Sequence, residues 1–319
     1  MKSVIRRAKE IGILRFLKKA TFYDEIYSIG IREKTETENG INVASPFYVI
    51  PQQTGYWMAD PLLFTHKGKD WLYVELFHKA NHRGCIAVID PGSQEKVPRI
   101  IITEPYHMSF PMVFEWNDAY FMIPETSENR SLNLYKSIHM PYEWELVKSF
   151  PVEMGIVDSI VLSKTESSVQ ILGSEVKSEN ELFARFQEYE IRRDRNDYSI
   201  HLNHSVRDFN LAERNGGVPI EVDTQALLVT QNSTAIDYGV SISLCDYYDN
   251  KLHERINYDK TKIQIDSIHT SDIIGIHTYS VGSKYEVIDC RYLKFDLLLN
   301  FKRIKRVLQN NWGVGMSKV

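Results

Sequence analysis

The sequence predicts an all-β protein, a five-bladed β-propeller with short amphipathic helices at both termini. Three observations lead there. One unit recurs between Trp57 and Asp289: an acidic or histidine-bearing residue, a short apolar strand, a turn, then an aromatic-rich strand. Its copies start near Ala59, Phe110, Val157, Gln225 and Asp272, and recurrence at about 45–70 residues is the signature of a radial β array. The composition, 43% hydrophobic and 25% charged over 319 residues, suits one large globular domain. In such an array the first strand of every blade lines one axis, so Asp60, Asp158 and His277 are expected to share a pocket.

The first element expected is a basic amphipathic helix within residues 1–25, because Val4 to Phe22 lacks proline and spaces its apolar residues helically. The propeller is expected over 26–290. Trp71 to Phe77 and Ala119 to Ile123 read as second strands, each preceded by a turn, Lys67-Gly68-Lys69 or Asn117-Asp118. Gly84 to Ile89 and Leu132 to Lys136 supply third strands, and Trp144 to Val147 a fourth. In blade three, Val169 to Gly173 and Glu181 to Tyr189 fit second and third strands. From Arg192 to Glu221 the chain turns polar, with Gly216 and Gly217 adjacent, and reads as an inserted loop at the rim of a site. A second basic helix is expected from Phe295 to Gln309, within a terminal segment 291–319.

Charge separates along the chain. Residues 1–20 hold seven basic side chains against Glu10, and residues 291–319 hold seven against Asp296, so a net charge of -4 conceals an acidic middle. Lysine and arginine beside an apolar face bind anionic headgroups, so residues 1–20 and 295–309 suit peripheral contact with a membrane. The competing reading packs both helices on the propeller with their charges in water. The acidic middle argues against nucleic acid as a partner.

No apolar run approaches the roughly 18 residues of a spanning helix. Cys85, Cys245 and Cys290 lack metal or redox spacing and read as buried hydrophobes in a reducing, cytoplasmic compartment; no secretory signal is recognisable. No phosphate loop, nucleophile elbow or dinucleotide fingerprint is present, and no His-x-His or His-Glu-x-x-His spacing, so neither cofactor nor metal is expected.

The chemistry-bearing candidates stand at blade starts and on second strands. Asp60 precedes Pro61 and either caps a turn or activates water in a half-dry cavity; Asp158 occupies the corresponding place in blade three. Glu75 and Glu125 sit within second strands, where a carboxylate is costly to bury unless paired, and Arg130 or Arg214 would be the partner. Burial or a like-charged neighbour raises a carboxyl pKa, which is how a general acid is made. His107 and His277 stand at two further blade starts, suited to sugar hydroxyls or a carboxylate. Tyrosine and tryptophan faces stack on sugar rings, although most of the aromatics will pack blades.

Several of these segments resemble a known family. Trp57-Met58-Ala59-Asp60-Pro61, Val74-Glu75, Glu104 to Pro111 (Glu-Pro-Tyr-His-Met-Ser-Phe-Pro), Met122 to Arg130 and Gly275-Ile276-His277-Thr278-Tyr279 look like the N-terminal propeller domain of glucosamine inositolphosphorylceramide transferases. Bacterial relatives of that domain occur in surface-polysaccharide biosynthesis, and its fold is similar to the arabinanase and β-xylosidase hydrolases. The resemblance implies Asp60 as general base and Asp158 as orienting group; for the acid, blade four offers only Glu213 and Glu221 as loop or strand-edge candidates, and Glu125 is the best candidate, from another wall. Arg214-Asn215-Gly216-Gly217, Gln231-Asn232-Ser233 and Tyr238-Gly239 resemble its fourth-blade segments and put Arg214 and Gln231 near the pocket. Glu75, His107, Arg130, Arg214, Gln231 and His277 would then contact substrate. The expected function is glycosyl transfer or glycosidic cleavage in cell-surface polysaccharide synthesis, on an oligosaccharide, nucleotide sugar or lipid-linked glycan. A non-catalytic glycan-binding module and a protein-interaction scaffold are the rivals.

Overall fold

The computed structural model describes residues 18, 22–34, 41–177, 184–195, 197–205, 213–222, 224–234, 237–249 and 251–298. They form five antiparallel sheets around one axis. The fifth blade takes its outer strands from the start of the propeller, β1 (Tyr23–Glu33) and β2 (Tyr48–Val49). Blade one is β3 (Tyr56–His66), β4 (Lys69–His78), β5 (Arg83–Ile89) and β6 (Arg99–Ile102). Blade two is β7 (Ser109–Trp116), β8 (Ala119–Glu125), β9 (Ser131–His139) and β10 (Glu143–Pro151). Blade three is β11 (Gly155–Lys164), β12 (Ser168–Val176), β13 (Arg185–Asp194) and β14 (Asp197–Ser205). Blade four is β15 (Glu213–Val222), β16 (Gln225–Asn232), β17 (Ser241–Tyr248) and β18 (Lys251–Asp259). Blade five has a broken inner strand, β19 (Ile273–Gly275) and β20 (Tyr279–Val281), followed by β21 (Tyr285–Phe295).

Closure rests on the pairing of β1 with β21, in register from Tyr23↔Phe295 to Glu33↔Tyr285. The ends of the ring thereby share one sheet, and no blade is left with an open inner edge. Blades one and five are also clasped by Asp70, 3% exposed, whose carboxylate accepts from the backbone N–H groups of Ser283, Lys284 and Tyr285 at 2.8, 2.7 and 3.0 Å, and from the Thr65 hydroxyl. Apolar faces meet between neighbouring blades: Phe114, Phe121 and Leu134 of blade two pack with Ile156, Val169 and Ile171 of blade three. Leu62, Phe110, Met112, Ile160 and Leu228 pack in one cluster drawn from blades one to four. Each such buried side chain contributes roughly 1.5–3 kcal/mol relative to exposure.

Inner strands share a local device that sets up the site. Register shifts interrupt β3 between Ala59 and Leu62, β7 between Ser109 and Met112, and β11 between Val157 and Ile160. At each bulge one residue adopts a left-handed backbone: Asp60 at φ 48°, Phe110 at φ 43° and Asp158 at φ 49°. A bulge leaves a residue out of the ladder and re-aims its side chain. Pro61 and Pro111 follow two of the three, at positions where the ladder has no use for an N–H.

Two expectations are corrected. The polar stretch 192–221 is not an inserted loop: Asp197–Ser205 is the outer strand of blade three and Glu213–Val222 the inner strand of blade four. The glycine pair that suggested a turn marks a close approach instead, since a Cβ on Gly217, at φ +154°, would lie 2.0 Å from the Tyr279 carbonyl oxygen of the next blade. The second correction is at the C-terminus, where Phe295, expected to begin a helix, ends β21 and Asp296 to Leu298 follow in no helix. The remainder of that expected helix, and all of the N-terminal one except Lys18 and Phe22, lies outside the described residues. The Lys18 ammonium bonds Asp272 at 2.8 Å, and among the described residues no α-helix is found at either terminus.

Candidate active site

A cavity of about 450 Å³ opens on the axis, lined by Tyr27, Trp57, Ala59, Asp60, Glu75, Phe77, His82, His107, Ser109, Glu125, Glu128, Asp158, Arg214, Tyr238 and His277. The lining comes from all five blades, with Tyr27 on β1 and His277 in the break between β19 and β20. Its walls divide into an acidic wall, a charge-paired wall and an aromatic shelf.

On the first wall, the bulge aims Asp60 inward, 7% exposed, where it accepts from the Thr278 hydroxyl at 3.2 Å and the Phe110 N–H at 3.3 Å. Burial raises its pKa, opposed by the nearby His277 imidazole and assisted by Asp289 and Glu125. His277 Nδ1 meets Asp289 Oδ2 at 2.5 Å, and its Nε2 lies 3.9 Å from Asp60. Although burial works against its charge, Asp289 raises the His277 pKa above the ordinary 6.5. Asp60, His277 and Asp289 present ligand-type atoms within 4.8 Å of one another. Yet Asp289 is already saturated: its oxygens accept from the N–H groups of Asp60, His277 and Thr278. The trio is a hydrogen-bonded brace for the base-like carboxylate.

Glu75, on β4, is 5% exposed, and its pKa stands well above the ordinary 4.5 through burial and the neighbouring Asp60, Glu125 and Asp289. His107 stands beside it, Nε2 3.6 Å from Glu75 Oε1.

The charge-paired wall centres on Arg214. Its Nε donates to Asp158 Oδ2 at 2.5 Å and its Nη2 lies 3.5 Å from Glu125 Oε2. Gln231, 0% exposed, adds a second donor to Asp158 Oδ2 at 3.1 Å, and Asn215 donates to the Asp158 carbonyl at 2.7 Å. Burial raises the Asp158 carboxyl, while Arg214 pulls it back. Two N–H donors on one oxygen, one of them from a guanidinium, favour the carboxylate form of Asp158 and its ion pair with Arg214. The Arg214 guanidinium lies 5.2 Å from the Tyr238 ring centroid.

The shelf is a run of rings. Trp57 and Phe77 stack at 4.3 Å and 11°, Tyr27 lies 5.0 Å from Trp57, and Tyr27 stacks on His277 at 5.1 Å and 25°. Such a surface covers the apolar face of a sugar ring while the carboxylates accept its hydroxyls.

Of the residues singled out in the sequence, Asp60, Glu75, His107, Glu125, Asp158, Arg214 and His277 line the cavity, and Gln231 stands behind Arg214. Arg130 does not join them: it sits exposed in a left-handed turn at φ 49°, donating to the Glu153 carbonyl at 2.7 Å. It follows the 3-10 turn Ser127–Asn129, which carries its side chain off the axis, so the partner of Glu125 is Arg214 alone of the two candidates. Sequence reasoning missed Tyr27, Phe77, His82, Glu128 and the brace Asp289. Only alternation on β1 and β4 pointed at Tyr27 and Phe77, and it does not say which face meets the axis.

Residues 43–295 match the family described as glucosamine inositolphosphorylceramide transferase 1, N-terminal. Glucosamine inositolphosphorylceramide transferase 1 of Arabidopsis thaliana is 31% identical over 122 residues, 37% of this chain and 16% of that protein. Its counterpart in Oryza sativa subsp. indica is 30% identical over 125 residues, 37% of this chain and 17% of that protein. The match thus spans about a sixth of the length of these curated relatives. Among solved structures, an α-L-arabinanase of Cellvibrio cellulosa superposes with TM-score 0.43 at 14% identity, over 69% of this chain and 88% of that one. The β-1,2-mannobiose phosphorylase of Listeria innocua does so with TM-score 0.41 at 12% identity, over 80% and 94%. On the strength of the match over residues 43–295, the chain belongs to the family of glucosamine inositolphosphorylceramide transferase 1 N-terminal domains.

Proposed function

We propose that the propeller is a carbohydrate-active enzyme of cell-surface glycan synthesis that cleaves or transfers a glycosidic bond in its axial cavity. The single observation carrying this reading is the convergence of Asp60, Glu75, Glu125 and Asp158 with an aromatic shelf in one 450 Å³ hollow. Asp60, fixed by Thr278 and Phe110 and backed by His277, is the base that takes a proton from the attacking hydroxyl. Asp158 orients through Arg214 and Gln231, and a carboxyl of the facing wall, Glu75 or Glu125, protonates the departing oxygen. A glycan-binding module would keep the shelf but has no use for four carboxyls that repel one another at close quarters. A scaffold has no use for a buried ion pair on its axis.

The test is incubation of wild type, Asp60→Asn and Glu125→Gln with free and lipid-linked oligosaccharides, with folding checked by circular dichroism. Loss of product in Asp60→Asn by a factor of about 10²–10⁴ supports catalysis. Product formed equally by Asp60→Asn would favour simple binding.

The same reading sets the protein at the cytoplasmic face of a membrane, in contact with anionic lipid through residues 1–20 and 295–309. Phe22 and Asp296 meet at one edge of blade five, where the Asp296 N–H bonds the Phe22 carbonyl at 2.7 Å and Phe295, Leu297 and Leu298 are exposed. Among the described residues no helix is long and apolar enough to cross a membrane. Sedimentation with phosphatidylserine vesicles at low salt, and release on raising the salt, is the expected result.

A further inference from the structure

We propose that Glu75, not Glu125, is the proton donor of this cavity, that His107 positions it, and that the bond broken joins two sugars through an alcohol oxygen. This rests on the reading of the cavity as a glycan-processing site.

Glu75 is committed to nothing else. It lines the cavity, yet among the described residues its Oε1 has no hydrogen-bond partner. Glu125 is occupied: its Oε1 accepts from the Ser127 hydroxyl at 2.8 Å and its Oε2 faces Arg214. Beside Glu75, the His107 tautomer is set by the backbone. The Gly84 N–H donates to His107 Nδ1 at 2.9 Å, so Nδ1 is the acceptor and the ring proton lies on Nε2, which faces Glu75 Oε1 at 3.6 Å. The His107 side chain is 27% exposed, against 6% for Glu75, which places the imidazole between the buried carboxyl and solvent. The approach requires a glycine at 84, because a Cβ there would lie 2.6 Å from Glu75 Oε1, 2.9 Å from His107 Cε1 and 2.5 Å from the Met108 carbonyl oxygen.

The groups that face Glu75 from the packed elements are Asp60, Cys85, His107, Glu125 and Asp289. Three are carboxyls that disfavour a further negative charge, and the Cys85 thiol, pushed up to about 11 by burial, stays neutral. Burial and these neighbours together favour the protonated form of Glu75. In the step that uses it, the glycosidic C–O bond breaks with both electrons going to the departing oxygen, which takes the Glu75 proton and leaves as an alcohol. The attacking hydroxyl forms the new C–O bond and gives its proton to Asp60. Asp60 releases that proton to solvent, while Glu75, left as carboxylate, takes one from solvent water.

A proton donor matters only where the leaving group is an alkoxide. A phosphate or pyrophosphate leaves as a stable anion, and here it would meet five carboxyls and one arginine already bonded to Asp158 and facing Glu125. Both arguments exclude nucleotide-linked and pyrophosphate-linked donors from this cavity and select a neutral oligosaccharide.

The test has two arms on the full chain. Difference infrared spectroscopy across neutral pH is expected to show a protonated-carboxyl band that Glu75→Gln removes and Glu125→Gln retains. Turnover of a panel of aryl hexosides and pentosides is expected to fall by about 10²–10⁴ in Glu75→Gln for p-methoxyphenyl leaving groups and to change little for dinitrophenyl ones. His107→Gln should slow turnover of the p-methoxyphenyl glycosides more than that of the dinitrophenyl ones. A band lost in Glu125→Gln, or equal losses in Glu75→Gln for both leaving groups, would overturn the assignment while leaving the cleavage reading standing. Absence of turnover in the wild type on every glycoside overturns the donor role together with that reading.

Discussion

His277 shows most clearly how one residue carries both structure and chemistry. Its pKa is raised, so the interaction with Asp289 stabilises the fold fully below the unfolded value near 6.5 and is lost as pH climbs through the folded value. Glu75 acts in the same direction: its pKa is also raised, so the folded state is penalised increasingly as pH rises above 4.5. Unfolding free energy should therefore decline from pH 6 to 9, by up to about 1.4 kcal/mol per pH unit for each proton involved. Urea denaturation across that range checks it, and Glu75→Gln should flatten the decline. Arg214→Ala leaves Asp158 buried without its partner and should destabilise by about 3–5 kcal/mol, more than Arg130→Ala, whose side chain is exposed. Asp60, Asp158 and His277 were legible in the sequence because they recur at the same place in the repeated unit. Asp289 was not, because its role depends on β21 crossing behind the broken inner strand.

Strands carry the site by being imperfect. Bulges in β3, β7 and β11 carry Asp60, Phe110 and Asp158, and those at Asp60 and Asp158 bring carboxyls to the cavity; a left-handed backbone at a non-glycine residue is tolerated where the surroundings over-determine it. In β15 the same region is built from glycine because β20 passes against it. Gly217→Ala should therefore destabilise by more than about 3 kcal/mol, its Cβ being driven into the Tyr279 carbonyl, with a fall in urea midpoint as the readout. That dependence explains the misreading of residues 192–221. Glycine pairs and polar residues signal loops when only neighbours in sequence are weighed, whereas the constraint here comes from another blade. Strands β4, β5, β8 and β9 were legible because their aromatic and β-branched residues alternate strongly.

The ring as a whole is what brings residues more than two hundred positions apart into one hollow, and its seam is the vulnerable place. Asp70 satisfies three backbone donors of the neighbouring blade, so Asp70→Ala should cost on the order of 3 kcal/mol and loosen the contact between blades one and five. Hydrogen exchange should locate the loss in β1, β3 and β21. Five-fold repetition was visible at the sequence level because each blade needs the same apolar alternation; the order of closure was not, since β1 carries no mark of joining β21. The central claim, that closure builds a sugar-processing cavity, is tested most directly by crystals of Asp60→Asn grown with neutral oligosaccharides. The account predicts a sugar ring stacked on Trp57 with its glycosidic oxygen facing Glu75; sugar bound on an outer blade face, with the axial cavity holding none, would contradict it.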